Sequence, residues 1–438
     1  MTPRQLALKA FEDIFQAGLK PKQSLDAAGA GLMERDRAFL MELVYGVLRY
    51  RDCLDWLLSG FLSRPEGLGA KTIDNLRMAV YQIEFMRVPE WAAVDEAVTL
   101  EKRLHGKHGL VNAVLRSFLR KRPALPDPLD DPSGRVLAMR SSHPLWLVQR
   151  WIKRFGMKDA AALCDANNSI PQIVLRVSVP AKREDSIALL AAKGISAHPS
   201  RISLAGIVLE GTARFADIEE ALSCPYFVQD EAAQMVSLLL APEPGQRVLD
   251  ACSAPGGKAT HLAEIMQDRG EVVAVDQDDG RLKLLQENVI RLGLQSVTVC
   301  SADAFSFSDV SGFDRILVDA PCSALGTIRR NPDVRYRHTL ADILRLQHTQ
   351  MRMLSRLSGL VRAGGTVVYA VCSTEPEEGE DVVRSFLQEH ANFSIIEGDS
   401  PALKMFFSED ARGFAGYRTF PHRHGMDGFY AARLKRLR

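Results

Sequence analysis

The stretch RVLDACSAPGGKATHLAEIMQDRGEVVAVD (247–276) contains an apolar run, a glycine-rich turn, a helical pattern and a second apolar run. Three more apolar runs follow, at SVTVCSAD (296–303), FDRILVDAP (313–321) and GTVVYAVCS (365–373). Helical patterns alternate with these runs, and such alternation predicts a parallel sheet that helices cover on both faces. Ligands of such sheets bind outside the carboxyl ends of the strands, so we expect a functional site there.

Two of the seven cysteines lie at the ends of these predicted strands, fifty residues apart. Cys322 lies in ILVDAPCSALGT (316–327) and Cys372 in GTVVYAVCSTEPEEGE (365–380). A free cysteine usually packs as a small apolar side chain, but both of these adjoin polar, turn-forming residues. A thiolate is a soft nucleophile, suited to addition at a ring carbon such as carbon 6 of a pyrimidine. The pair therefore predicts covalent chemistry with two separate tasks.

The residues around the glycine-rich turn predict a site for S-adenosylmethionine (SAM). Gly256 and Gly257 let the backbone turn tightly and approach a ligand, while Asp276 ends the second strand, where a carboxylate can accept both hydroxyls of a ribose. Asp303 ends the third strand, next to where an adenine would lie. One acid at a strand end is often only a cap or turn former, but acids end successive strands here. The turn has neither GxGxxG nor a P-loop, which fits a cofactor without pyrophosphate. The predicted SAM-binding residues are Cys252, Ser253, Ala254, Pro255, Gly256, Gly257, Lys258, Asp276, Asp303 and Asp319.

The composition is that of an ordinary globular protein, with 438 residues, 46% hydrophobic and 25% charged. This length predicts two or three domains. The odd number of cysteines without tight spacing argues against a disulfide framework, and we expect no metal site. The N-terminus MTPRQLALKAFEDIF has no uninterrupted apolar core, and no stretch approaches the roughly 18 apolar residues of a membrane span. We therefore expect a cytoplasmic location and no membrane partner.

Two basic clusters stand out against a net charge of only +1. Residues 101–122 hold seven Lys or Arg and one acid, and residues 328–352 hold six Arg and two acids. Each cluster alone could be a solvated helix face, but their joint presence favours nucleic acid. We expect IRRNPDVRYR (328–337), directly after the Cys322 motif, to hold phosphates that flank the target base.

The patterns divide the chain into three predicted domains, at 1–130, 143–228 and 229–438. The first is all-helical, and in GLVNAVLRSFLRKR (109–122) we expect Leu110, Val111, Val114, Leu115, Phe118 and Leu119 to form an apolar stripe. The proline-rich segment 123–134 is predicted to be a linker. Residues 171–227 predict a small α+β unit, and the last domain contains the α/β pattern described above.

Three segments closely resemble the motifs of the Sun/Fmu-type (Nol1/Nop2/Sun) RNA cytosine-C5 methyltransferases: DACSAPGGK (250–258), DAPCSALGTIRRNPD (319–333) and VVYAVCSTEPEEGE (367–380). The helical region resembles a NusB-type RNA-binding bundle, and PHRHGMDGFYAARL (421–434) resembles the C-terminal strand motif of the family. The resemblance covers essentially the whole chain. It implies a class I, Rossmann-like SAM-dependent methyltransferase domain after a NusB-like bundle, an arrangement found in the bacterial 16S ribosomal RNA enzyme. Val371 departs from the Thr or Ser that often precedes the second cysteine.

The resemblance implies a mechanism and assigns the roles. Cys372 would add to carbon 6 of cytosine and activate carbon 5 toward the sulfonium methyl group, while Cys322 would serve product release. Asp319 would bind the N3/N4 edge of the base, and Lys258 would supply positive charge. The sequence alone does not choose between the cysteines, because DNA cytosine methyltransferases carry their nucleophile in a Pro-Cys motif like that of Cys322. A paired cytosine is stacked, so the target must be single-stranded or flipped out.

The implied product is 5-methylcytidine in 16S ribosomal RNA, at the site equivalent to cytosine 967, formed by a monomer. A tRNA cytosine-C5 methyltransferase would carry the same catalytic motifs and is the nearest alternative. A non-catalytic NusB-like RNA-binding factor is another, against which the intact cysteines and glycine-rich turn argue. A nicotinamide dehydrogenase is disfavoured because GxGxxG is missing.

Overall fold

The computed structural model describes residues 1–211, 213–222, 224–398, 400–410 and 413–437. The chain forms two compact units, described separately below. The helical unit comprises Met1–Ser169 and Ile328–Arg337, and the sheet unit comprises Ile170–Thr327 and His338–Arg438. The three predicted domain ranges stay a prediction, and the last of them runs through positions 399, 411, 412 and 438, which lie outside the described residues.

The helical unit confirms the predicted bundle. Its helices are α1 (Pro3–Phe15), α2 (Pro21–Ala28), α3 (Glu34–Ser59), α4 (Ala70–Phe85), α5 (Glu90–Arg103), α6 (His108–Lys121), α7 (Arg135–Ser141), α8 (Leu145–Phe155) and α9 (Met157–Asn168). Apolar faces of α1 and α3–α6 form one core. In α6 the predicted stripe buries Val111, Val114, Leu115 and Phe118. The prediction was wrong for Leu110, which is 37% exposed near the start of the helix.

Within segment 328–337, Arg329 and Arg335 are buried, which corrects the expectation of phosphate contact for these two arginines. Arg335 is fully buried and donates hydrogen bonds to the carbonyl oxygens of Ser141 and Ser142, each at 3.0 Å, and to Asn168 Oδ1 at 2.9 Å. Arg329 is only 5% exposed. Ser142 is the left-handed residue that ends α7, so its carbonyl and that of Ser141 need donors. The guanidinium of Arg335 supplies these donors and is closed to RNA.

A small antiparallel sheet opens the sheet unit. Its elements are β1 (Val174–Val177), α10 (Arg183–Ala192), β2 (Ala197–Pro199), β3 (Gly206–Leu209), α11 (Phe215–Ala221) and β4 (Tyr226–Val228). The strand order is β2-β3-β1-β4. Leu175, Val177, Ile207 and Leu209 pack with Leu190 of α10 and Ile218 of α11. This is the predicted α+β unit, with β4 as a strand that the pattern did not indicate.

The large sheet has nine strands within the described residues. Its elements are α12 (Glu231–Leu240), β5 (Arg247–Ala251), α13 (Gly257–Ile265), β6 (Glu271–Asp276), α14 (Asp279–Leu292), β7 (Val297–Ser301), β8 (Phe313–Asp319), α15 (Leu340–Ser358), β9 (Val361–Val371), α16 (Glu380–Glu389), β10 (Phe393–Ile395), α17 (Pro401–Lys404), β11 (Phe407–Glu409), β12 (Ala415–Thr419), α18 (Pro421–His424) and β13 (Phe429–Arg436). The strand order is β11-β12-β13-β9-β8-β5-β6-β7. The remaining strand, β10, pairs antiparallel with residues 434–436 of β13.

The five strands β5–β9 are parallel, as the alternation of apolar and helical patterns predicts. The sheet as a whole is mixed, because β13 pairs antiparallel with β9 and carries β10 and β12 with it. Apolar side chains cover both faces of the parallel strands and form two cores. Among the described helices, none is both long and apolar enough to cross a membrane.

Candidate functional site

The strand order brings the two singled-out cysteines together. β8 and β9 are neighbours, with Asp319 opposite Ala370, so the segments after both strands leave the sheet side by side. Cys372 directly follows β9, and Cys322 lies three residues beyond β8. Their Sγ atoms are 3.3 Å apart, close enough for a hydrogen bond between thiol and thiolate. We call residues 320–324 and 372–375 the two cysteine turns.

The two thiols are not equivalent. The pKa of Cys322 is raised well above its usual value, first by its hydrogen bond to Cys372, then by burial and by the charges of Cys372 and Glu378. Cys322 therefore keeps its proton at neutral pH and can donate it toward Cys372. Three other cysteines (Cys53, Cys164 and Cys224) are buried and unoxidised, as is usual for cysteines that pack as small apolar side chains.

Lys258 and Asp319 form an ion pair beside the cysteine turns. Lys258, in the first turn of α13, donates to Asp319 Oδ2 at 2.7 Å, and only 14% of its side chain is exposed. Burial lowers the pKa of Lys258, but the charges of Asp319 and Cys372 outweigh burial and raise it. The ammonium also lies 5.5 Å from the centre of the Phe429 ring. The raised pKa keeps the ammonium of Lys258 protonated at neutral pH, beside the carboxyl ends of β5 and β8.

The glycine turn, residues 252–258, links β5 to α13. Gly256 has φ +101°, a left-handed conformation that L side chains rarely adopt, and an added Cβ would lie 3.0 Å from Leu285. Ser253 N donates to the carbonyl of Val275 at 2.9 Å, and Ala254 N donates to Asp276 Oδ2 at 3.1 Å. These bonds tie the turn to the end of β6.

The two predicted ribose and adenine acids differ in setting. Asp276 is 6% exposed, its Oδ1 accepts from Asp278 N at 3.0 Å, and Arg281 lies 3.7 Å away. Each carboxylate oxygen has two acceptor positions, so Asp276 keeps capacity for a diol. Asp303 is exposed, and its Oδ1 accepts from Phe305 N at 3.0 Å, which makes it a turn former as well. Both lie at the carboxyl edge of the sheet, and Asp276 contacts the glycine turn through Ala254 N.

Asp250 is a buried acid whose position the sequence indicated without giving it a role. Its carboxyl group is fully buried in β5, and neither oxygen has a hydrogen-bond partner among the described residues. Burial and the nearby charge of Asp319 raise its pKa well above the usual value. Buried polar groups normally have partners, so a polar ligand or water beside the glycine turn would satisfy it. The turn, the acids and this unpartnered carboxyl group together fit SAM.

Two buried polar residues of the site were missed by the sequence analysis. Glu378 accepts hydrogen bonds from Ser323 and Ser373, the residues that follow the two cysteines. Gln350 of α15 donates to Glu378 Oε1 at 3.0 Å and to the carbonyl of Pro321 at 2.9 Å. Glu378 lies six residues after Cys372, inside the motif segment 367–380, but in an acidic run that resembles a solvated helix start.

Comparison with known families covers most of the chain. The NusB family matches residues 1–120, the ferredoxin-like domain of RsmF/B-like methyltransferases matches 143–216, and the 16S rRNA methyltransferase RsmB/F family matches 237–435. A probable ribosomal RNA small subunit methyltransferase B from Bacillus subtilis is 35% identical over 417 residues, 92% of each chain. Ribosomal RNA small subunit methyltransferase B from Pseudomonas syringae is 36% identical, over 100% of this chain and 97% of the relative.

Solved structures show the same fold. The crystal structure of PH0851 superposes with a TM-score of 0.82 at 26% identity, over 100% of this chain and 99% of that one. A methyltransferase homolog protein from Pyrococcus horikoshii has a TM-score of 0.61 at 26% identity, over 70% of this chain and all of that one. The predicted fold class is thereby confirmed: a NusB-like bundle, a small α+β domain and a Rossmann-like methyltransferase domain.

Proposed function

Because the chain belongs to the 16S rRNA methyltransferase RsmB/F family and is a SAM-dependent enzyme acting on rRNA, we propose that it methylates carbon 5 of a cytosine. The target would be the base equivalent to cytosine 967 of 16S rRNA. The observation that carries the proposal is the 3.3 Å separation of two thiols beside the Lys258–Asp319 ion pair. A monomer would suffice, since all these groups lie in one unit. The proposed location is the cytoplasm.

Cys372 is assigned as the nucleophile. Its Sγ lies 3.3 Å from that of Cys322, which holds a proton. The charge of Cys372 is one of the causes that raise the pKa of Lys258. A nearby cation favours a thiolate. Addition of this thiolate to carbon 6 of cytosine forms a C–S bond and makes carbon 5 nucleophilic.

Asp319 and Lys258 act on the base. Asp319 lies at the end of β8, and its carboxylate can accept a hydrogen bond from the N4 amino group or from a protonated N3 of cytosine. Lys258 holds Oδ2 of this carboxylate, which fixes its orientation. Stabilising a protonated ring favours the adduct, because negative charge would otherwise develop at N3 as the thiolate adds.

Cys322 is assigned to product release. After methyl transfer, carbon 5 carries a proton that must leave before the C–S bond to Cys372 can break. The Cys322 sulfur lies 3.3 Å from that of Cys372, whose hydrogen bond and charge raise the pKa of Cys322 and keep it protonated during the first addition. Once the Cys372 sulfur is bonded to carbon 6, these two causes end, so Cys322 can release its proton to water and, as a thiolate, accept the carbon-5 proton. The electrons of the C5–H bond then form the C5=C6 double bond, and those of the C–S bond return to Cys372 as a thiolate.

The glycine turn and the two acids would hold the cofactor. Backbone groups of residues 252–257 would line it, Asp276 would accept the ribose hydroxyls and Asp303 would lie at the adenine. SAM supplies an electrophilic methyl group on sulfur, and the Lys258–Asp319 pair next to the turn would align the base with that methyl.

The RNA must present an unpaired or flipped-out cytosine, because carbon 6 of a stacked base is closed to the thiol. The exposed basic side chains of α6, among them Arg116, Arg120 and Lys121, are candidates for contact with a separate part of the same RNA. Arg329 and Arg335, which are buried, are no longer among the predicted phosphate contacts.

The test uses three cysteine variants with methyl-labelled SAM, and with 16S rRNA and tRNA as separate substrates. We expect Cys372→Ala to abolish methylation and adduct, and Cys322→Ala to accumulate a protein–RNA adduct that survives denaturation. Cys300→Ala, which alters a half-buried cysteine of β7 away from the pair, is the control and should act normally. Adduct formation by Cys372→Ala would reverse the roles, and methylation of tRNA alone would replace the substrate.

A further inference from the structure

We propose that Glu378 is a positioning residue that fixes the spacing of Cys322 and Cys372 by holding both cysteine turns at once. The inference rests on the proposed two-cysteine mechanism and assigns a task to a residue that touches neither substrate nor reacting sulfur. Glu378 lies in the turn before α16, outside both cysteine turns.

The carboxylate of Glu378 receives four hydrogen bonds. Oε1 accepts from Ser323 N at 2.8 Å and from Gln350 Nε2 at 3.0 Å. Oε2 accepts from the hydroxyls of Ser323 and of Ser373, the latter at 2.6 Å. A carboxylate has about four acceptor positions, so the group is saturated. Two of the four partners, Ser323 N and Gln350 Nε2, can only donate to it.

Three of the four donors belong to residues that adjoin the two cysteines along the chain, and the fourth acts on the residue before Cys322. Ser323 and Ser373 directly follow Cys322 and Cys372, and Gln350 also holds the carbonyl of Pro321, directly before Cys322. A shift of either serine backbone moves the adjoining Cα, and with it the thiol. Because one carboxylate is hydrogen-bonded to both turns, it fixes the positions of the two sulfur atoms relative to each other.

The backbone of Glu378 is also held in place, by burial and by a hydrogen bond. The residue is fully buried, and its carbonyl accepts a hydrogen bond from the hydroxyl of Tyr369, a buried residue of β9, at 2.5 Å. The anchor is thus attached to the strand that ends in Cys372. A buried, fully paired carboxylate is costly to disturb, because removing it leaves several donors unpaired.

Glutamine should replace this glutamate better than alanine does. Its amide oxygen can take the place of Oε1 and accept from Ser323 N and Gln350, which cannot reverse their roles. Its amino group would then face two hydroxyls, and hydroxyls can turn to accept. Glu378→Gln therefore keeps most of the contacts, whereas Glu378→Ala loses all four.

Thiol proximity can be measured without RNA. Diamide takes up two protons and two electrons from a pair of adjacent thiols and leaves a disulfide, whose peptides mass spectrometry identifies. We expect Cys322 and Cys372 to be linked rapidly in the unaltered protein, about tenfold more slowly in Glu378→Ala, and within about threefold of normal in Glu378→Gln. In methylation assays Glu378→Ala should lower kcat by about 100-fold and change the KM for RNA less than about twofold.

Glu101→Ala is a matched control for the loss of a buried carboxylate. Glu101 is also fully buried, and it accepts hydrogen bonds from Thr72 Oγ1, Asn75 Nδ2 and Lys107 N in the helical unit. Its replacement should destabilise the protein and leave the rate of disulfide formation unchanged.

A folded Glu378→Ala protein that forms the disulfide at the normal rate would overturn the proposal. If this variant does not fold, Ser373→Ala decides instead, because it removes one donor and keeps the carboxylate. Slowing by about threefold supports the assignment and an unchanged rate contradicts it. Disulfide formation does not depend on cytosine chemistry, so methylation surviving Cys372→Ala would refute the proposed function while leaving the positioning result intact.

Discussion

Two buried carboxyl groups lie near the carboxyl ends of the parallel strands and differ completely in their surroundings. Glu378 of the cysteine side accepts four hydrogen bonds from the protein, whereas Asp250 of the glycine side has no partner among the described residues. The cysteine turns are thus closed by internal bonds, and the glycine turn is left with open acceptors. We infer that hydrogen bonds within the protein fix the spacing of the two sulfur atoms. The unpaired acceptors beside the glycine turn are instead available to a ligand.

Lys258 joins the two sides, and its replacement should have the largest effect. Lys258→Met removes the cation that pairs with Asp319 and lies near Cys372, so we expect kcat to fall by about 100-fold or more. Steady-state methylation of RNA measures this. Lys283→Met, an exposed lysine of α14, should behave normally. A kcat within about twofold of normal would show that Lys258 is not needed on either side.

Asp276 should matter mainly to binding on the glycine side. Asp276→Ala removes a buried acceptor for the ribose and unties Ala254 and Asp278, so we expect the Kd for SAM to rise by about 30-fold. The exposed Asp303 should cost only about threefold when changed to alanine. Calorimetric titration with SAM measures both values. Equal effects of the two changes would contradict the distinction that burial makes between them.

The conformation of Gly256 offers a smaller test. Gly256→Ala places a Cβ in a left-handed backbone and 3.0 Å from Leu285, so we expect SAM to bind about fivefold more weakly. Gly293→Ala is the control, since Gly293 also has positive φ (+70°) but nothing within 4 Å of an added Cβ. Both should lower stability by about 1 kcal/mol, and only the first should weaken SAM binding.

The smallest effect is expected from the unpaired carboxyl group. The raised pKa of Asp250 means that the folded state resists its ionisation, so its contribution to stability is fully present below the usual pKa and is lost as pH rises toward the raised value. Asp250→Asn removes this loss. The thermal unfolding midpoint of the SAM-free protein should rise by about 2 °C at pH 7 and stay unchanged at pH 3. A midpoint that falls at pH 7 would indicate a hidden partner for the carboxylate.

Much of this site could be predicted because its residues lie on regular patterns. Cys322 and Cys372 end apolar runs, and parallel strands necessarily bring such ends to one edge. The antiparallel pairing of β13 with β9 could not be predicted from spacing, because it joins residues far apart in the chain, such as Tyr430 and Val371.

The pattern of charged residues along the sequence was the poorest guide to which side chains are exposed. Glu378 stands in an acidic run that resembles an exposed helix start, yet it is buried because donors from three separate segments converge on it. Arg335 stands in a basic cluster that resembles a phosphate site, yet it serves the end of α7. Ser323 and Gln350 for Glu378, and Ser141 and Ser142 for Arg335, lie far along the chain, so local composition does not indicate them.

The position of Arg335 has a consequence for synthesis of the protein. The helical unit contains residues 1–169 but also 328–337, and it stays incomplete until the ribosome has added roughly 160 more residues, which takes about 10–30 s. During that interval the carbonyls of Ser141 and Ser142 lack the guanidinium that serves them in the finished fold. The nascent helical unit therefore stays incomplete until residues 328–337 are made. A fragment that stops at Ser169 would lack them permanently.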